Sequence, residues 1–243
     1  MFNADDYKLS CMRYRFIKNS EPKFYTPKGN AGNDEKLENN ISRTKSRIIE
    51  LGKCNDWDLF VTLTLNPNKY DRKNLGKFIS DLSQLIRDER KKGYDIKYLL
   101  IPERHKDGCW HMHGFIHGLP IEKLHEFTLS ERLPKKIIDK LKNGKRVFTW
   151  EKYADKFGYA DIELIQSKDA ASAYISKYIT KDLISSVKEL NAHAFYASKG
   201  LKSSEIIHQG AVLKIIENPT YENDYVSVKW FKDVAKALQY FEV

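Results

Sequence analysis

Trp110-His111-Met112-His113-Gly114 places two histidines one residue apart within a run, 109–117, that reads as a strand. In a strand, residues i and i+2 project from the same face, so both imidazoles can reach one ion. A second short strand is read over 96–103. The intervening stretch from Arg104 ends at Gly108, a residue suited to a tight turn. Such a hairpin makes the pairing antiparallel and brings Glu103 alongside the histidines. His105 has the same parity as Glu103 and competes with it as a third ligand, whereas His117 lies further along the strand and reads as peripheral. Cys109 has the wrong parity to share the face. Two nitrogens and a carboxylate leave positions open at which Mg²⁺ or Mn²⁺ could hold phosphate oxygens; the imidazoles favour Mn²⁺, with Zn²⁺ as an alternative. Gly114 and Gly118 are expected to leave room for a ligand. His125, His193 and His208 have no supporting neighbours and read as surface or packing residues.

Outward from the hairpin, Leu59-Phe60-Val61-Thr62-Leu63-Thr64-Leu65 reads as a strand closed by Asn66-Pro67. Its alternation puts Leu59, Val61, Leu63 and Leu65 on one face and Phe60, Thr62 and Thr64 on the other. Helical spacing predicts helices over 38–51, ending near Gly52, and over 71–91, ending at Lys92-Gly93. Residues 121–141 read as a helix in two pieces broken at Pro134. Strands follow at 146–150 and 159–165. A helix is predicted from Ser167 or Asp169 through Lys181, and another over 186–198. Further strands are expected at 205–215 and 224–230, and residues 1–37 are polar with a loop around 27–33. One mostly antiparallel sheet with helices packed on it, an α+β fold, buries these faces most simply.

Tyr174, Lys177, Tyr178 and Lys181 fall at i, i+3, i+4 and i+7, one stripe of a continuous helix. A tyrosine with a pKa near 10 is a weak nucleophile, so attack on a phosphodiester needs a base or a cation that stabilises developing charge. A lysine one turn away supplies fixed positive charge.

The 243 residues can bury one substantial core, and the 41% hydrophobic and 31% charged content is that of a folded globular chain. The net charge of +9 suits a polyanionic partner. Cys11, Cys54 and Cys109 share no paired spacing, which argues against a disulfide framework and fits a reducing cytoplasm. No apolar run approaches the roughly 18 residues of a membrane span, and the N-terminus carries no apolar leader.

Together these segments resemble the HUH endonuclease superfamily, specifically the initiators of rolling-circle replication of bacterial plasmids and phages. Residues 60–65 resemble that family's first motif, His111-Met112-His113 its histidine–hydrophobic–histidine motif with Glu103 as the acidic third ligand, and residues 177–182 its tyrosine motif. The resemblance spans residues 60–182. It implies a central five-stranded antiparallel sheet, with the histidine strand in the middle and the tyrosine helix facing a metal, Mn²⁺ or Mg²⁺. It implies that the ion clamps the scissile phosphate of single-stranded or hairpin origin DNA. Tyr178 then forms a 5′-phosphotyrosine and frees a 3′-OH, with Lys177 and Lys181 as supporting cations. Tyr174 matches the second tyrosine of the branch in which two alternate. Three segments are expected: an N-terminal extension with a helix over 1–52, the catalytic core over 53–200, and a C-terminal extension over 201–243 packed on it. The sequence carries no Gly-x-x-x-x-Gly-Lys-Ser/Thr, so a host helicase and DNA polymerase are expected partners in a bacterial cytoplasm. Alternatives are a relaxase or transposase with the same chemistry, a basic nucleic-acid-binding module without catalysis, and a metal hydrolase without a covalent intermediate.

Overall fold

The computed structural model describes residues 7–12, 34–190, 192–210, 214–222 and 226–241. From the N-terminus the elements run β1 (Tyr7–Met12), α1 (Asp34–Cys54), β2 (Leu59–Leu65), α2 (Leu75–Arg90), β3 (Lys97–Arg104) and β4 (Trp110–His117). Then come β5 (Leu124–Glu126), α3 (Lys135–Lys142), β6 (Phe148–Trp150), α4 (Glu151–Lys156), β7 (Gly158–Leu164), α5 (Lys168–Ser176) and α6 (Lys181–Glu189). The last are β8 (Tyr196–Ala197), β9 (Tyr221–Glu222), β10 (Val226–Phe231) and α7 (Val234–Leu238). The chain divides into two compact units, Ala31–Ser203 and the combined termini Met1–Asn30 with Ser204–Val243.

The larger unit is built on a seven-stranded sheet in the order β5-β6-β7-β2-β4-β3-β8, antiparallel at every pairing. It therefore has seven strands where five were expected. The added strands are the two edges, β5 of three residues and β8 of two, too short for any periodicity to show in the sequence. The central strand is β2, and the histidine strand β4 lies beside it rather than in the middle.

Alternation along β2 explains how the sheet is buried. Leu59, Val61, Leu63 and Leu65 are at most 2% exposed. Helix α2 lies on the same face of the sheet, where its Ile79, Leu82 and Ile86 line a small cavity with Leu100 and Met112. The other face carries Phe60, Thr62 and Thr64. Its Phe60–Phe115 end is covered by α1 and α5, which cross where Gly52 of α1 meets Ser172 of α5; a Cβ at Gly52 would lie 2.4 Å from Ser172 Oγ and 3.4 Å from Phe115. The Thr–His end of this face is left for the site.

Several elements differ from their sequence expectation. Helix α1 runs through Gly52 to Cys54 because that glycine serves the helix crossing rather than a stop. The first half of the helix expected over 121–141 is a single 3₁₀ turn, Ile121–Lys123, followed by β5, which pairs with β6; only the half beginning after Pro134 is helical. The helix expected through Lys181 ends at Ser176, and α6 then occupies Lys181–Glu189 in place of 186–198. Thr180 makes the break: its backbone is extended and its hydroxyl accepts from Leu183 N–H, the capping geometry of a new helix start.

In the smaller unit, β10 pairs antiparallel with β1 (Tyr7↔Phe231 through Met12↔Val226) and with β9, and Asp233 caps α7 by accepting from Ala235 N–H. The described residues 205–210 are not a strand. Residues 211–213, and the loop expected at 27–33, lie outside the described residues.

Candidate active site

Register places the site. Across the sheet, Glu103, His111, Thr64 and Tyr159 form one lateral row, and Ile101, His113, Thr62 and Asp161 the next. The hairpin closes as expected, with His105 N–H donating to Cys109 O at 2.9 Å and Gly108 at φ +80°. Both histidines are nearly buried, at 9% and 6% exposure. Each is held from behind by a threonine of β2: Thr64 Oγ1 lies 3.1 Å from His111 Nδ1, and Thr62 Oγ1 3.1 Å from His113 Nδ1. A hydroxyl both donates and accepts, so it can hold the ring in either tautomer. His111 Nε2 is buried and has no hydrogen-bond partner. Burial, reinforced by the positive charges of His105, His113 and Arg72, brings His111 down to about 4, which keeps its imidazole neutral at pH 7.

Glu103 Oε2 lies 2.7 Å from His113 Nε2 and 3.4 Å from His105 Nε2. The His113 hydrogen bond is the main cause that holds this carboxyl below the usual glutamate range. The His105 ring is stacked on His111 with centroids 3.9 Å apart. Among the described residues no group of three or more His, Cys, Asp or Glu side chains already stands in metal-holding geometry, since Glu103 is engaged with His113. The donor set nonetheless fits a divalent ion: a buried, unpartnered imidazole nitrogen, a second imidazole fixed from behind, and a carboxylate within hydrogen-bond reach.

The tyrosines approach the same patch from above. Ser167 caps α5 by accepting from Ala170 N–H, and Ile175 and Ile179 are fully buried on either side of the helix end. Between them the chain tightens into three-residue turns, with Tyr178 N–H donating to Ile175 O and Ile179 N–H to Ser176 O. Tyr178 therefore leaves the helical stripe and lays its ring on His113, with centroids 4.0 Å apart and planes within 5°. Its hydroxyl donates to that of Tyr174 at 3.4 Å. Lys177 Nζ stands 3.4 Å from the centre of the Tyr174 ring and 5.2 Å from that of Tyr178.

The two phenols are driven apart electrostatically. A hydrogen bond with Lys177, then one with Tyr178, holds Tyr174 below its ordinary value, whereas burial, the Tyr174 contact and the charges of Glu103 and Asp161 push Tyr178 up. The structure thus brings together Glu103, His111, His113, Tyr174, Lys177 and Tyr178. Lys181 does not share their stripe; it opens α6, beyond the break.

Three features escape the sequence reading. Thr62 and Thr64 are assigned there only to the face opposite the leucines, although two hydroxyls at i and i+2 on a buried strand are a usable signal. Lys140 of α3 places Nζ 2.8 and 2.6 Å from the two oxygens of buried Asp161 and 2.8 Å from Glu163, beside the tyrosine segment. The room at Gly114 and Gly118 is not for a ligand: a Cβ at Gly114 would lie 1.9 Å from Leu99 O, and one at Gly118 2.4 Å from Asp95 O. Both glycines admit neighbouring backbone.

Fold and site together define an α+β protein whose antiparallel sheet gathers a histidine–carboxylate pair under two tyrosines. The family model described as replication-associated protein, ORF2 type, matches residues 58–183, just over half of the chain, and the chain belongs to that family. The matched span runs from the residue before β2 into the first turn of α6, so it contains every residue of the patch. Membership supports a replication initiator. Neither a curated protein nor a solved structure matches the chain significantly. Among the described residues, no helix is long and apolar enough to cross a membrane.

Proposed function

We propose that this replication-associated protein is a metal-dependent nickase and strand transferase of the HUH type, which initiates rolling-circle replication at a specific single-stranded or hairpin origin. The observation that carries this reading is the stack of Tyr178 on His113, which sets a phenol directly beside a carboxylate–histidine donor set. Mn²⁺ or Mg²⁺ held by His111, His113 and Glu103 would supply the positive charge that polarises the scissile phosphate.

The chain's own residues account for the proton and the attack. Tyr178 donates to Tyr174, and Lys177 makes Tyr174 the easier of the two to ionise. Tyr174 as phenolate takes the proton of Tyr178, and the Tyr178 oxygen attacks phosphorus. The products are a 5′-phosphotyrosine and a free 3′-OH. Lys177 offsets the negative charge shared by the two phenols, at 3.4 and 5.2 Å from their ring centres. Duplex opening and synthesis fall to a helicase and a polymerase of the host, in the bacterial cytoplasm.

The close approach of the two hydroxyls also favours a second reading, in which Tyr174 is itself a nucleophile and the pair alternate. The test is a denaturation-resistant adduct between the protein and labelled single-stranded DNA carrying candidate origin sequences, with Mn²⁺ or with chelator. Mapping the adduct to Tyr178, to Tyr174 or to both decides between the readings. Tight DNA binding with no adduct under any condition removes the nickase and leaves a binding module.

A further inference from the structure

The two ends of the histidine pair differ. Tyr178 lies on the His113 ring, whereas His111, roughly 7 Å further along β4 by the usual strand rise, carries the His105 ring and borders the hairpin turn. The loop after β2 is tied to this end: Trp110 N–H donates to Arg72 O at 2.9 Å. Arg72 Nε is buried and has no hydrogen-bond partner, and the guanidinium's contact with exposed Asp107 is a loose 3.8 Å from Nη2. Lys73 and Arg104 both reach within 4 Å of where a side chain at Gly108 would begin, and Lys106 is exposed in the same turn. This end of the site is therefore a cationic rim around a guanidinium with an unsatisfied N–H.

In-line displacement gives that rim a role, and the argument rests on the nickase reading above. Attack from the Tyr178 side forms the Tyr–O–P bond and breaks the P–O3′ bond on the far side of phosphorus. The phenolic proton passes by way of Tyr174 and solvent to the departing 3′-oxygen. The expelled strand consequently leaves toward His111 and the hairpin turn. We infer that Arg72 and the 104–108 turn bind the backbone of the DNA strand that ends in the new 3′-OH, with Arg72 on the phosphate next to the one cleaved. A planar guanidinium with an unused N–H matches phosphate oxygens in a way that a lysine does not. The rim keeps the primer end in place after nicking, ready for extension or for rejoining.

The test has two arms. In the first, fluorescence anisotropy follows binding of mixed-sequence single-stranded oligodeoxynucleotides over a range of salt for the wild type, Arg72→Gln, Arg72→Lys and Lys106→Gln. Loss of one phosphate contact lowers the slope of log K against log salt by about 0.7. Arg72→Gln is expected to do so, and Arg72→Lys to restore the slope without the full affinity. In the second arm, purified adduct is offered increasing concentrations of an acceptor ending in 3′-OH. Arg72→Gln is expected to need several-fold more acceptor for half-maximal rejoining, with an unchanged rate at saturation. Lys106→Gln, an exposed substitution in the same turn, guards against an Arg72 variant that misfolds by showing a smaller shift in the same direction. An unchanged salt slope in both Arg72→Gln and Lys106→Gln overturns the inference, as does rejoining that loses maximal rate but not acceptor affinity. A wild type that never forms an adduct sinks the nickase reading and the strand assignment with it, and the salt slope then reports only on Arg72 as a phosphate contact.

Discussion

The Tyr178 ring lies flat on that of His113, with centroids 4.0 Å apart and planes within 5°. A phenyl ring keeps that stack, so Tyr178→Phe should fold normally and yet form no adduct. Tyr174→Phe removes the proton acceptor but not the nucleophile. Its adduct should still map to Tyr178 and form about 10²–10⁴-fold more slowly, the usual contribution of a positioned base. Quenched time courses with peptide mapping check both outcomes.

The two threonines of β2 should govern metal affinity without touching the ion. Replacing Thr64 by Val keeps its shape and removes the hydroxyl 3.1 Å from His111 Nδ1. Loss of such a partner behind a histidine ligand typically costs about 10–100-fold in affinity. Calorimetric titration with Mn²⁺ should show this for Thr64→Val and for Thr62→Val, with thermal stability nearly unchanged.

Stability of the metal-free protein should fall on acidification. His111 has a folded value of about 4 against an ordinary 6.5. Between those values the unfolded chain binds the proton and the native state does not, so stability is lost as pH falls through this window. The full shift corresponds to a loss of about 3 kcal/mol at most. Urea unfolding in chelator across the window should show the fall, and His111→Gln should flatten it.

Gly52→Ala should destabilise the protein although alanine is the better helix former. The new Cβ would meet Ser172 at 2.4 Å from Oγ and 2.8 Å from Cβ, both on buried, packed helices. Overpacking of this kind costs about 1–3 kcal/mol, against a gain in helix propensity of about 1 kcal/mol. Ser172→Gly in the same chain should recover most of the loss, measured by denaturant midpoint. Because α5 carries Tyr174, nicking should slow in the single variant and recover in the double.

Lys140→Met should be costlier. It strips buried Asp161 of a lysine held at 2.8 and 2.6 Å and removes the same partner from Glu163. Removing one member of a buried ion pair costs about 3–5 kcal/mol, because the remaining charge is left uncompensated. Lys140→Met with Asp161→Asn should regain part of that stability, which unfolding titrations would detect.

Much of the site was legible because it depends on parity. His111 and His113 share a face at i and i+2, and a short hairpin has to return Glu103 to their side; the register Glu103↔His111 follows from the turn. The tyrosine segment was less legible. Helical spacing continues through Tyr178 and Lys181, yet the helix stops at Ser176, since Thr180 caps a new helix and Ile175 and Ile179 are both drawn into the core. Gly52 and Gly114 read as a helix stop and a ligand gap, and each in fact admits a neighbour from a distant part of the chain.

From its sequence alone, this protein's strands, their inward faces and the pairing of Glu103 with the histidines were determined, because side-chain direction along a strand repeats with the local backbone. Only the tertiary structure decided that Tyr178 rather than Lys181 reaches the histidines, that Lys177 sits over Tyr174, that threonines stand behind both imidazoles, and that Arg72 meets the hairpin turn. Those relations depend on how helices and loops far apart in the chain pack on one sheet. Packing is set by which side chains can be desolvated together, and no local period in the sequence encodes that.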